Sequence, residues 1–287
     1  MSAKLFCFGL GYSAEVLAHR CLAAGWQVAG TVREEARLGR LTDLGIEVFL
    51  FDRTHDLPKD ALAGVTHILV SVPPDGDGDP VLDRLRPAIK AFAGGLSWLG
   101  YLSTTGVYGD YDGAWVDEDT ALRAVSARSR RRVEAETGWL DLYRQNALPV
   151  HVFRLAGIYG PGRSALDDAR AGASSRIVKP GQVFSRIHVE DIATVLQASM
   201  DRPAPGTIYN VCDDEAAPPQ DVVAFACELL AIALPPEIPF EQARLSPMAQ
   251  SFWADNRRVR NDRIKRDLGV TLRFPTYREG LRALAGV

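Results

Sequence analysis

The chain has 287 residues, 47% hydrophobic and 24% charged, with a formal net charge of -3. Such a length and apolar content exclude a disordered or fibrous chain and are enough to bury a core without staples. The 33 basic and 36 acidic residues create no general field for nucleic acid or an anionic membrane, and no run approaches the roughly 20 apolar residues of a membrane span. Neither partner is expected, and a cytoplasmic setting follows by default. Cys7, Cys21, Cys212 and Cys227 form no C-x-x-C pair and have no His at ligand spacing, so reduced thiols and no metal site are expected.

Along the chain, 4–8 reads as a buried strand and 12–24 as a helix with Val16, Leu17 and Cys21 at helical spacing. The pattern repeats as strand 26–32, helix 34–44, strand 46–51, strand 66–72, helix 81–92, strand 98–102, helix 128–146 and strand 150–155. This alternation predicts an α/β fold, a doubly wound parallel sheet of Rossmann type with helices on both faces. Gly160, Pro161 and Gly162 mark a change of texture. A helix at 189–199 and a strand at 207–211 rejoin the sheet, and proline-rich pieces form a small C-terminal substrate lobe. The expected division is 1–160 with 186–212 for the coenzyme domain, and 161–185 with 213–287 for the lobe.

The first strand and helix meet at Gly9-Leu10-Gly11-Tyr12-Ser13-Ala14, a G-x-G-x-x-A turn. Gly9 permits the tight turn, Gly11 lets backbone approach a pyrophosphate at the helix start, and Ala14 lets helix and strand pack closely. Gly9, Leu10, Gly11, Tyr12 and Ser13 are therefore coenzyme-binding candidates. The second strand ends Gly30-Thr31-Val32-Arg33, with no acid to receive a ribose hydroxyl. Arg33, with the Thr31 hydroxyl and the charge of Arg37, suits a 2'-phosphate, so NADP is expected over NAD. In the other reading Arg33 begins a solvated helix and Glu34 or Glu35 approaches the ribose. Asp52 either meets the adenine amino group or caps the following turn. Ser71, Val72 and Pro73 should border the coenzyme.

Two further segments, Tyr101-Leu102-Ser103-Thr104-Thr105-Gly106-Val107-Tyr108-Gly109 and Arg154-Leu155-Ala156-Gly157-Ile158-Tyr159-Gly160-Pro161-Gly162, join this turn in a combination that resembles the short-chain dehydrogenase/reductase superfamily. The likeness is to its extended, epimerase/dehydratase-like branch. Later segments at 187–193, 209–211, Asn261 and 267–269 extend it over nearly the entire chain. The resemblance implies chemistry beside a nicotinamide, with Thr104, or Ser103 if the register slips by one, holding the substrate oxygen. The family's Y-x-x-x-K helix, followed four residues later by Glu, is best matched by Ser126 to Arg130 with Glu134 trailing. Serine replaces Tyr and arginine replaces Lys. Arg130 can hold the ribose, but its guanidinium stays protonated and is no ready general acid. Tyr108 either supplies the missing phenol or packs its ring in the V-Y-G turn. His188 either titrates near neutral pH or caps and packs.

Other signals have plainer readings. Counting Asp75 as the first position of a calcium loop puts Pro80 where the turn glycine belongs and Arg86 where the bidentate Glu belongs. The arginine run 128–132 is short and is followed by Glu134 and Glu136, which favours pairing or coenzyme contact over RNA. The leading expectation is an NADP-dependent oxidoreductase acting on a small carbonyl or sugar-like metabolite without the usual Tyr-Lys pair. A non-catalytic NADP-binding or redox-sensing protein and a sugar-nucleotide epimerase or dehydratase are the alternatives. A helix-mediated homodimer, common in the family, stays open because the arginine-rich helix would oppose such packing through like charge.

Overall fold

The computed structural model describes residues 3–92 and 94–287. The first half alternates as the hydrophobic pattern predicts. It runs β1 (Lys4–Phe8), α1 (Tyr12–Ala23), β2 (Gln27–Val32), α2 (Leu38–Asp43), β3 (Glu47–Leu50), β4 (His67–Val70), α3 (Pro80–Ala91) and β5 (Trp98–Thr104). Then come β6 (Trp115–Val116), α4 (Ala127–Asn146), β7 (Val150–Leu155), β8 (Gly157–Tyr159), α5 (Ala165–Arg170), β9 (Arg176–Val178), β10 (Arg186–His188), α6 (Val189–Asp201) and β11 (Ile208–Val211). The C-terminal stretch holds α7 (Pro219–Leu229), β12 (Glu237–Pro239), α8 (Pro247–Trp253), β13 (Arg258–Val259), α9 (Asp262–Leu268) and α10 (Tyr277–Ala285).

A seven-stranded sheet has the order β11-β7-β5-β4-β1-β2-β3, the doubly wound Rossmann arrangement. β1 pairs in parallel with both β2 and β4, and the chain reverses its direction of growth there. That switch point is where the glycine turn lies. Phe6, Phe8, Ile68, Val70, Leu99, Tyr101, Trp139, Val150 and Val152 belong to one buried cluster on this sheet. Strands buried on both faces explain why β1 and β4 read as continuous apolar runs. The helix expected at 34–44 is broken into a 3-10 turn at 35–37 and the short α2. Strand β4 ends at Val70, so 71–73 have left the sheet, whereas β5 continues to Thr104.

By internal contacts the chain forms two compact units, one of residues up to Thr104 with 127–154 and 193–209, the other of 105–126, 155–192 and 210–287. The division expected from sequence kept 105–126, 155–160, 186–192 and 210–212 with the coenzyme domain. In the second unit Tyr159, Leu166, Val222, Phe225, Tyr277 and Leu281 make a separate core, and β8 pairs in parallel with β10, β9 with β12 and β6 with β13.

The aspartates after β4 serve the fold. Asp75 takes a bidentate ion pair from Arg53 at 2.7 and 2.8 Å. Asp79 caps α3 by accepting from the Val81 and Leu82 N–H groups, while its other oxygen accepts from Trp139 Nε1 at 2.9 Å. All four cysteines are buried and free, and burial pushes the Cys21 thiol up to about 11. Such a thiol is protonated and unreactive at neutral pH. Among the described residues no helix is long and apolar enough to cross a membrane.

Candidate functional site

The turn after β1 is locked from the inside. Gly9 has φ of 86°, and a Cβ there would lie 2.9 Å from Ser71 Oγ and 3.1 Å from Val72 Cγ2. Its N–H donates to Thr31 Oγ1 at 2.9 Å and its carbonyl accepts from Ser71 Oγ at 2.5 Å. The Leu10 N–H donates to the Thr31 carbonyl at 2.7 Å, and the Leu10 side chain is buried against Gly30. Gly9 is thus required by its conformation and by its neighbours.

Gly11 is different. A Cβ at this position would meet nothing within 4 Å, and its φ of -94° is open to any residue. It is the N-cap of α1, where no side chain caps the helix. A glycine that the fold does not need, at the uncapped start of a helix, leaves backbone that an anionic group can approach closely. Ala14 is fully buried and Ser13 nearly so, and Tyr12 is half-buried. These residues fit a dinucleotide pyrophosphate.

At the end of β2 the candidates separate. Thr31 is 1% exposed and its hydroxyl is occupied by Gly9, so it is not offered to a ribose phosphate. Arg37 pairs with Glu15 and donates to the Leu10 carbonyl, and Arg40 also pairs with Glu15. The second positive charge expected from Arg37 is therefore spent inside the fold. Arg33 is exposed and has no ion-pair partner among the described residues. Asp52 Oδ1 accepts from the Thr54 hydroxyl and from the backbone N–H groups of Thr54 and His55. These bonds hold its carboxyl well below the usual range, the turn-capping reading of the two. Ser71 braces Gly9, half-buried Val72 follows it, and Pro73 is exposed.

The second group of candidates lies where α4 crosses β5. Trp139 stacks on Tyr101 with ring centroids 6.0 Å apart, and three residues earlier Glu136 accepts from Ser103, two residues further along the strand. Helix α4 therefore runs against β5, and its start lies nearest the carboxyl end of the sheet. Glu136 also binds Arg154 of β7, with Arg154 Nη2 to Oε2 at 2.8 Å and both side chains 3% exposed. Ser103 is thus committed to a buried ionic cluster. Thr104, at the strand end, is half-buried.

This cluster corrects the register expected for the helix. Glu134 is exposed, whereas Glu136 is the buried acid. Four and eight residues before Glu136 on α4 stand Arg132 and Arg128. Arg130 does not share the face of Glu136, and Ser126 lies before the first residue of α4. Arg132 Nη1 donates to the Leu102 carbonyl at 2.7 Å and to the Tyr101 hydroxyl at 3.2 Å. Arg130, two residues from either arginine, is exposed on another side of the helix. The available sequence signal was the buried face set by Trp139 and Leu140, which includes Glu136 and excludes Glu134.

Within the second unit, Tyr108 is fully buried and its hydroxyl donates to Asn210 Oδ1 at 2.7 Å, so its ring packs in the turn. His188 is 3% exposed, its Nδ1 accepts from the Glu190 N–H, and its ring packs on Tyr159 and Phe274. Burial pushes its pKa down to about 4, which keeps it neutral near pH 7.

A functionally unknown conserved protein from Silicibacter pomeroyi is 54% identical, with 99% of each chain covered and a TM-score of 0.92. The protein YeeZ of Escherichia coli is 29% identical over 220 residues, which are 73% of this chain and 77% of that protein. The dTDP-glucose 4,6-dehydratase of Bacillus anthracis, solved in complex with NAD, has a TM-score of 0.78 at 17% identity, covering 100% of this chain and 96% of that one. No family model matches the chain.

Proposed function

The chain belongs to one family with the conserved protein of Silicibacter pomeroyi and has the fold of the extended short-chain dehydrogenase/reductases, and from that premise we propose that it is an NADP-dependent oxidoreductase acting on a small carbonyl or sugar-like metabolite. The observation that carries the coenzyme reading is Gly11, open to approach at an uncapped helix start. The preference for NADP rests on Arg33, exposed and without an ion-pair partner among the described residues, at the end of a strand that bears no acid. The NAD in the dehydratase complex supports a nicotinamide coenzyme in general.

A bound nicotinamide supplies or accepts the hydride. The chain's part is to orient the reactants, with Thr104 donating a hydrogen bond to the substrate oxygen at the end of β5. On α4 Arg132 reaches β5 and Arg128 lies one turn before it, and both are permanently protonated and can steady charge without exchanging protons. The proton at the carbinol oxygen is then relayed by solvent. Orientation without a protein acid predicts slow turnover. The absence of Tyr and Lys from these positions also favours a second reading, a coenzyme-binding protein without turnover.

The test is NADPH oxidation with a panel of small aldehydes, ketones and keto-sugars. The reductase reading predicts slow turnover that falls by about tenfold or more in Thr104→Ala. Tight NADPH binding with no turnover across the panel would leave the second reading in its place.

A further inference from the structure

The loops that leave β3 and β4 are joined by side chains, although the sheet order puts β2 and β1 between those strands. Three strand spacings are about 14 Å, so a link between the loops spans the width occupied by β2 and β1. Arg53, just beyond β3, makes that link. Its guanidinium donates to both oxygens of Asp75 at 2.7 and 2.8 Å and to Asp83 Oδ2 at 2.9 Å, with Asp77 at 4.0 Å. The receiving loop is shaped to present these carboxylates. The Asp75 N–H donates to the Gly78 carbonyl at 2.8 Å and the Asp77 N–H donates to Asp75 Oδ1 at 2.9 Å. Gly78 has φ of 134°, and a Cβ there would lie 2.9 Å from Asp83 Oδ2. Arg84 of α3 donates to the Asp52 carbonyl at 3.0 Å and pairs with Asp56, which holds the root of the loop after β3 and leaves Arg53 to reach across.

In an open parallel sheet a ligand lies in the crevice outside the carboxyl ends of the strands, at the switch point. The strands that the Arg53 link crosses border this crevice, β1 with Gly9 and Gly11 after it and β2 with Arg33 after it. The pairs are partly exposed, so they add little to folding and open readily. On the coenzyme reading of the glycine turn, we propose that Arg53, held by Asp75 and Asp83, is a strap across the coenzyme crevice that opens for the nucleotide to enter or leave. A strap and a direct contact differ in kinetics. Loss of a contact speeds release alone, whereas loss of a strap that is closed in the free protein speeds both association and release.

Stopped-flow nicotinamide fluorescence of NADPH association and release in the full-length parent, Arg53→Met and Asp75→Ala tests it. Both variants are expected to speed both rates by about threefold or more, with the larger change in Arg53→Met because it breaks every pair. Charge alone acts in opposite senses, since removing a cation slows the encounter with an anionic nucleotide and removing an anion speeds it. Opposite changes in the two variants therefore overturn the strap. Faster release with unchanged association in Arg53→Met also overturns it and makes Arg53 a coenzyme contact. Differences that persist undiminished at about 1 M NaCl contradict an ionic strap. A parent that binds neither NADPH nor NADH removes the coenzyme reading and the strap with it, whereas binding with equal rates in all three proteins removes the strap alone.

Discussion

The glycine turn after β1 and the α4 face over β5 lie in the same unit but hold their groups by different means. The turn is a backbone device. Gly9 and Gly30 are fixed by close neighbours, with a Cβ on Gly30 only 2.7 Å from the Cys7 carbonyl, and Gly11 is left open. The α4 face is a side-chain device, registered by the buried Ser103, Glu136 and Arg154 cluster and by the reach of Arg132 to Leu102. A backbone site needs only small residues at set spacings. A side-chain site needs the right residue on the right face, so a shift of two along the helix changes its chemistry altogether.

Breaking the α4 anchor should have the largest effect. Glu136→Ala leaves Arg154 buried without its partner and is expected to cost about 3–5 kcal/mol, read from urea unfolding. Adding Arg154→Met should recover part of that loss, because it removes the desolvated charge that Glu136→Ala leaves behind. An unchanged unfolding midpoint in Glu136→Ala would mean that the pair does not fix the register.

The turn should separate stability from binding. Gly30→Ala is expected to lose about 1–3 kcal/mol through overpacking against Cys7 and Leu10. The Cβ of Gly11→Val would meet nothing within 4 Å, so the variant should stay within about 1 kcal/mol of the parent, while its NADPH affinity drops by about tenfold or more. If Gly11→Val instead loses stability and keeps its affinity, the open backbone is not the coenzyme's contact.

The smallest effect concerns acid stability at the loop after β4. Hydrogen bonds from Arg53 hold the Asp75 carboxyl down to about 2. A folded-state pKa below the unfolded one adds stability above the ordinary carboxylate range, about pH 4, and that stability is lost as the pH falls towards 2. Both side chains are partly exposed, so the contribution is under about 1 kcal/mol. Unfolding midpoints of Arg53→Met and the parent should converge as the pH falls from 5 to about 2, and a constant gap would remove Asp75 from the account.

The sheet and its switch point were legible because β1 and β4 are nearly continuous apolar runs and the glycine spacing sits between a strand and a helix. The exposure of Arg33 was also legible, since it follows the last residue of β2 and stands beside Glu34 and Glu35 in a charged stretch. The engagement of Thr31 with Gly9, of Arg37 with Glu15 and of Tyr108 with Asn210 was not, because each is a contact across 22 or more residues. The helix register was missed for a physical reason. Glu134 and Glu136 are equivalent in composition, and only the burial of Trp139 and Leu140 shows which one faces β5.

The most direct test is an equilibrium titration of the coenzyme-free protein with NADPH and with NADH, followed by nicotinamide fluorescence and repeated with Arg33→Ala. The account predicts a preference for NADPH of about tenfold or more that disappears in the variant, with NADH affinity unchanged. Binding of neither nucleotide would contradict it at its centre, and equal binding of both would remove Arg33 as the selector.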